Sequence, residues 1–223
     1  TYTQKLMDAD PKGQPVPLPQ VDEEIVATDA LKVWFPVKKG FLRRTVDHIK
    51  AVDGISLSIR KGAALGVVGE SGSGKSTLGL AILRLIHSRG RIVFEGQAID
   101  GHSKAQMRPL RRVLQVVFQD PFGSLNPRRT VADTLYQTIK IHNLADSKPK
   151  VASLIHKTLE EVELRPADQF WDKYAALLSG GQLQRVSIGR VLVLQPDFVI
   201  ADESVSMLDV SVRIGILDLL QRM

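Results

Sequence analysis

The chain has 223 residues, 43% of them hydrophobic, a formal net charge of +6 and no cysteine. That composition suits one globular domain with a sizeable core and excludes a disulfide scaffold and cysteine-ligated zinc or iron–sulfur centres. No apolar stretch approaches the about 18 residues a bilayer-spanning helix needs, and the start does not read as a signal peptide. The basic balance suits nucleic acid, an anionic membrane surface or a nucleotide, and does not choose among them.

Residues 1–30 read as a tail and linker, because Pro11, Pro15, Pro17 and Pro19 prevent a helix and few large apolar residues are available to bury. Leu31 to Phe35 alternates like a strand, and Ile49 to Ile59 holds a second alternating segment. After the first of these comes a basic patch of Lys38, Lys39, Arg43, Arg44 and Lys50, which reads as a solvated loop. Ala63 to Val68 is an apolar run suited to a buried strand, and Leu78 to Ile86 is an apolar run of helical length. Arg91 to Glu95 reads as a short strand, Lys104 to Arg112 as a weak helix disturbed by Pro109, and Val113 to Phe118 as a buried strand. Asp120 to Pro127 is dense in turn formers and predicts a structured loop. Helical patterning runs from Val131 to Leu164 with a break near Asp146–Pro149, and Val151, Leu154, Ile155, Leu159 and Val162 share one face. A helix from Leu183 to Leu194, a buried strand Phe198–Ala201 and a helix Val210–Met223 complete the series, with no internal repeat.

The strongest chemical signal is Gly69-Glu-Ser-Gly-Ser-Gly-Lys-Ser-Thr77, which fits G-x-x-x-x-G-K-[ST] between a strand-like and a helix-like run. Glycines let the backbone curl so that successive N–H groups form an anion nest, and the following helix turns its positive end to the same spot. Gly69, Ser71, Gly72, Ser73, Gly74, Lys75, Ser76 and Thr77 are therefore candidate phosphate contacts. Lys75 supplies a charge for the β- and γ-phosphates, and the Ser76 hydroxyl a ligand for Mg²⁺. A second signal is Asp202-Glu203 at the end of an apolar strand. In a parallel sheet shared with the phosphate loop, Asp202 joins the Mg²⁺ shell near Ser76 while Glu203 faces the attacking water. The third is Leu178-Ser-Gly-Gly-Gln182 before a helix, where Ser179 caps and Gly180 and Gly181 leave N–H groups open to a second anion. Two phosphate-recognising helix termini in one chain suggest two copies that share nucleotides.

With Gln119 and Ser206-Met-Leu-Asp209 these motifs stand in a fixed order, and the sequence from 31 to 223 resembles the ATP-binding-cassette (ABC) ATPases. The resemblance implies an α/β fold: a P-loop NTPase (RecA-like) core with an antiparallel β-subdomain and an inserted helical subdomain at about 120–178. It implies ATP and Mg²⁺ as ligands, and a head-to-tail dimer with ATP between the phosphate loop of one cassette and Ser179–Gln182 of the other. Gln119 would sense the γ-phosphate and Mg²⁺ and report to transmembrane permease subunits. Glu203 would be the catalytic base or water-positioning group, and Asp209 would link the two sites. The helical lobe would receive the permease, a substrate-binding protein would act indirectly, and the chain would sit peripherally on the cytoplasmic face of the membrane. No nucleic acid is expected, because no coiled-coil insertion or zinc-binding cysteine pair interrupts the motifs.

Phe35 to Arg44, Ala51 to Leu57, Gly66 to Thr77 and Val117 to Pro127 are similar to the dipeptide and oligopeptide importer ATPases. Thr1 to Pro11 resembles the closing segment that such ATPases carry after a cassette. This implies residues 1–20 as the tail of a preceding cassette, 21–30 as a linker and 31–223 as a second cassette, as in the Yej-type tandem importer ATPases for peptides and microcin C. The chain stops before the family's switch histidine, so nucleotide binding with weak turnover is expected of it. Val46, flanked by Asp47 and His48, stands where the family stacks an aromatic on adenine, and Phe41 or His48 would substitute. Ser204, Met207 and Leu183 replace a usual Pro, a small residue and a polar residue. The competing readings are a soluble ABC ATPase acting on nucleic acid or ribosomes, and a non-hydrolysing nucleotide-binding module.

Overall fold

The structure, a computed structural model, describes residues 23–40, 44–118 and 120–202. The expectations for Phe41, Gln119, Glu203, Ser204, Met207, Asp209, the tail 1–20 and the helix Val210–Met223 lie outside them. The described residues divide into two compact units at Arg111/Arg112.

The first unit is built on a long hairpin, β1 (Glu24–Lys39) against β2 (Arg44–Arg60), extended by β3 (Arg89–Phe94) and β4 (Gln97–Ala98) into a four-stranded antiparallel sheet of order β2-β1-β3-β4. Strand β1 begins inside the stretch expected to be a linker, because Ile25 and Val26 have a buried face to fill. It bulges at Ala30 (φ 47°), where Thr28 Oγ1 donates to Ile55 O (3.2 Å) and accepts from Leu57 N (3.2 Å). The hairpin's inner part buries Leu31, Val33 and Val52, and β3 buries Ile92 and Phe94. Farther out the same strands leave Trp34, Phe35, Val46 and Ile49 exposed. Trp34 Nε1 donates to Asp53 Oδ1 (3.1 Å), and the Lys50 ammonium stands 4.6 Å from its ring centre. Helix α1 (Lys75–Ile82) buries Leu78, Ala81 and Ile82, and α2 (Lys104–Leu110) buries Met107. Ser103 and Gln106 close a capping box on α2, which accommodates Pro109 in its last turn.

One expected strand does not form. Ala63 to Val68 has no strand partner among the described residues, and Val68 is 95% exposed. An apolar run becomes a buried strand only when ladders flank it, and nothing within 63–68 supplies one. The run keeps its composition without the pairing that would bury it. The parallel sheet expected to include it contains β5 and β6 alone among the described residues.

The second unit contains that parallel pair, β5 (Leu114–Val117) with β6 (Phe198–Ala201), in the register Leu114↔Phe198 to Val117↔Ala201. Between them come α3 (Pro121–Ser124), α4 (Val131–Ile141), α5 (Lys148–Glu161), α6 (Asp168–Trp171), a 3₁₀ turn (Ala175–Leu177) and α7 (Gly180–Leu192). Leu135 and Ile139 of α4, Ile155 and Leu159 of α5, and Val186 and Ile188 of α7 form its core with Val162 and Leu164. At about 25 cal/mol per Å² of apolar surface, such a core is the main driving force for the unit. Thr130 starts α4 by accepting from Asp133 N (3.0 Å). Arg185 ties α7 to the end of α5, donating to Val162 O (2.9 Å) and Glu163 Oε2 (2.7 Å). The Trp171 ring stacks on His156 at 4.6 Å.

Candidate functional site

The phosphate loop turns through two left-handed glycines, Gly72 (φ 79°) and Gly74 (φ 94°), before α1 begins at Lys75. Gly74 is the N-cap, and a Cβ there would stand 2.1 Å from the Ala51 carbonyl oxygen of β2. The loop is thus seated directly on the hairpin, and only glycine fits. Lys75 Nζ folds over the loop, donating to Gly69 O (2.9 Å) and Glu70 O (2.7 Å). Ser73 N closes a turn onto Glu70 O (3.2 Å). The first N–H groups of α1 have no intrahelical acceptor, so its open end, Lys75 and Ser76 present donors and positive charge together. Ser71, Gly72, Ser73 and Ser76 are exposed, and Thr77 is half-buried.

The second predicted anion site has the expected cap. Ser179 Oγ accepts from Gln182 N (3.3 Å), and Gln182 Oε1 accepts from Ser179 N (3.1 Å). The side chain of Gln182 is therefore held within the cap. The Ser179 hydroxyl keeps its hydrogen to donate, and Gly180 has open space where a side chain would be. Gly181 follows in the first turn of α7.

The third element is the carboxylate at the strand end. Asp202 N donates to Val117 O (3.0 Å), continuing the β5–β6 ladder. Asp202 and Phe118 thus leave the sheet at the same edge, and Gln119 and Glu203 are their next residues in the chain. Among the described residues no group of three or more His, Cys, Asp or Glu side chains could cage a metal. Mg²⁺ in phosphate sites takes one or two protein ligands and completes its shell from water and phosphate oxygens; the first unit carries the Ser76 hydroxyl beside the phosphate loop and the second the Asp202 carboxylate at its strand end.

Three features had no signal in the sequence patterns. A cleft in the second unit is lined by Gln115, Phe118, Ser124, Ile141, His142 and Arg190 among others. Arg190 Nη1 donates to Ser124 O (2.7 Å), and burial holds its guanidinium below the usual arginine range. Burial, then the positive Arg112, holds His142 below its ordinary value. Phe35 pairs with Ile49 across the hairpin, close to Ala51, and is 45% exposed. His48, one of the two expected adenine platforms, tilts toward Trp34 with 6.1 Å between ring centres. Arg84 and Arg111 meet at the far end of α1.

A glycine-seated phosphate loop opening a helix, a capped S-G-G-Q helix and an aspartate ending a parallel strand occur here in one order. Residues 52–206 match the ABC transporter family, and the chain belongs to that family. It is 49% identical over 220 residues to the peptidoglycan transport ATP-binding protein YejF of Agrobacterium fabrum, covering 99% of this chain and 40% of that protein. It is 41% identical over 203 residues to the oligopeptide transport ATP-binding protein AppF of Bacillus subtilis, covering 90% of this chain and 61% of that one. The chain thus spans less than two thirds of the length of either of these two relatives. A solved relative, the ATP-binding cassette MJ0796 in a dimeric post-hydrolysis state bound to ADP and Pi, superposes with a TM-score of 0.75 at 27% identity, covering 87% of this chain and 81% of that one.

Proposed function

We propose that this chain is the ATP-binding and ATP-hydrolysing part of a membrane importer, with peptides as cargo. The observation that carries the reading is the entry into α1: a left-handed Gly74 that admits no side chain, followed at once by Lys75 folded over the loop. That geometry serves a polyphosphate. Lys75 neutralises the β- and γ-phosphates while Gly69, Ser71, Gly72, Ser73, Gly74 and Thr77 line the loop. Ser76, Gln119 and Asp202 would hold Mg²⁺, which when bound would supply charge neutralisation at the transferring phosphoryl group. Glu203 positions the water, and catalysis is positioning and electrostatics. Phe35, near the hairpin seat of the loop, offers the adenine a ring face in place of Val46.

A second cassette completes the site in a head-to-tail dimer, its Ser179, Gly180, Gly181 and Gln182 closing over the γ-phosphate and Asp209 linking the two sites. The match to YejF reaches over 99% of the chain, so it runs into the N-terminal stretch, which supports a fused first cassette. The cleft beside Phe118 and Arg190 suits a permease segment that would feel Gln119 move. Among the described residues no helix is long and apolar enough to cross a membrane; in the importer reading, permease partners would supply the crossing. Peptide cargo follows the relatives' names, and a binding protein would deliver it from the far side.

Equilibrium binding of a fluorescent ATP analogue tests the reading. Lys75→Ala should lose binding, and Glu203→Gln should bind ATP and form a stable dimer without phosphate release. Wild-type affinity in Lys75→Ala would overturn the assignment of the loop.

A further inference from the structure

The phosphate helix is short, and its far end is loaded with charge. Helix α1 has eight residues, Lys75 to Ile82, which is about 12 Å of rise. Its C-terminus closes in a Schellman motif, with Leu85 N donating to Leu80 O (2.9 Å) and Arg84 N to Ala81 O (2.9 Å). The left-handed residue of that motif is usually glycine; here it is Arg84 at φ 55°. Arg111 reaches in from the end of α2 and donates from Nη1 to Leu83 O and from Nη2 to Arg84 O (2.9 Å). Arg84 Nη2 donates to His102 O (3.1 Å), while its Nε is buried with no hydrogen-bond partner among the described residues. The helix carries no basic residue of its own in its last turn. Burial, and then repulsion from Arg84, holds Arg111 below the usual arginine range. Two cations thus share one partly buried site in spite of that repulsion.

A helix carries about half a positive charge at its N-terminus and about half a negative charge at its C-terminus. In a long helix the negative end is too distant to matter to an anion at the other. Here it lies about 12 Å away, close to one screening length (about 10 Å) at about 0.1 M ionic strength. A polyphosphate at Gly74–Ser76 would feel both ends.

We infer that Arg111, with Arg84, is a positioning residue for the nucleotide phosphates: the pair cancels the negative end of α1 and fixes where the helix stops. This deepens the nucleotide reading and rests on it. Its signature is dependence on ligand charge. Half a charge acting over about 12 Å at an effective dielectric of about 20 changes affinity about tenfold for two net phosphate charges, less for one, and not at all for a neutral ligand. A fork of two N–H groups on adjacent carbonyls also favours guanidinium over ammonium.

The experiment is equilibrium binding of ATP, ADP, AMP and adenosine to the wild-type chain, Arg111→Met and Arg111→Lys, with thermal melting of each. The expected result is that Arg111→Met weakens ATP about tenfold, ADP less and adenosine not at all, with Arg111→Lys, which keeps the charge but not the fork, recovering only part of the loss. Arg111→Gln carries the same test if Arg111→Met does not fold. Equal weakening of all four ligands, or a lower melting temperature with unchanged affinities, would overturn the inference and leave a structural cap. A wild-type chain that binds no ATP would overturn the nucleotide reading beneath it, so the two failures are told apart by the wild-type control.

Discussion

At the residue scale the phosphate loop makes a sharp distinction between its glycines. Gly72 and Gly74 are both left-handed, but only Gly74 is pressed against backbone, at Ala51 O. Gly72→Ala should cost about 1–2 kcal/mol of backbone strain and leave nucleotide binding measurable. Gly74→Ala must move the loop or β2, so it should lose both nucleotide binding and a large part of the hairpin's stability. Calorimetric titration with thermal melting separates the two; equal behaviour would mean that the loop is not seated on β2. Residues of this kind were legible because phosphate chemistry needs fixed types at fixed spacing in one stretch. Phe35, Arg84, Arg111 and Arg190 were not legible, since their partners are brought to them only by folding.

The helices and hairpin strands show the same division one scale up. The amphipathic patterns of β1, α4 and α5 announced these elements, because each buries a face that its own spacing defines, and the alternation of β2 announced a strand that buries only Val52. Ala63–Val68 failed because the burial of an apolar run is decided by neighbouring strands and not by the run itself. The start of α7 was legible from four residues, since Ser179 and Gln182 are the two halves of a capping box. Ser179→Ala should destabilise the second unit by about 1 kcal/mol in denaturant melts. It should also weaken ATP-driven dimerisation by more than that, because the same hydroxyl is proposed to meet the γ-phosphate of the partner cassette. A loss confined to stability would reduce Ser179 to a cap. What the pattern of α7 did not show is that Gly189 lets α4 and α5 approach closely: a Cβ there would be 3.2 Å from Thr158 Cγ2 and 3.7 Å from Leu135 Cδ2.

For the molecule as a whole, the antiparallel β-subdomain and the helix-rich part were expected from the resemblance that the ordered motifs carry. The distribution of charge within the cleft was not. His142 lies in that cleft with Arg190, and Arg112 repels its charged form. Its folded value is depressed, so below about pH 6.5 the unfolded chain binds more protons than the folded one. The contribution of His142 to stability is therefore complete above about pH 6.5 and is lost as the pH falls through the folded value. Melting temperatures measured from pH 8 to pH 5 should fall on the acid side, and His142→Gln should flatten that fall. An identical pH profile in the variant would show that His142 is not responsible.

The chain has two tryptophans, and the fold gives one to each unit: Trp34 on the hairpin that seats the phosphate loop, Trp171 stacked on His156 at the end of α6. The protein thus carries a pair of independent optical probes. The Lys32 and Lys50 ammonium groups stand 5.8 Å and 4.6 Å from the Trp34 ring centre, so its emission should answer to changes in the hairpin that seats the phosphate loop. Trp171 reports only on the packing of the helical part. Replacing either with phenylalanine leaves a single-colour chain in which nucleotide arrival and helical rearrangement can be timed separately, without attaching a dye.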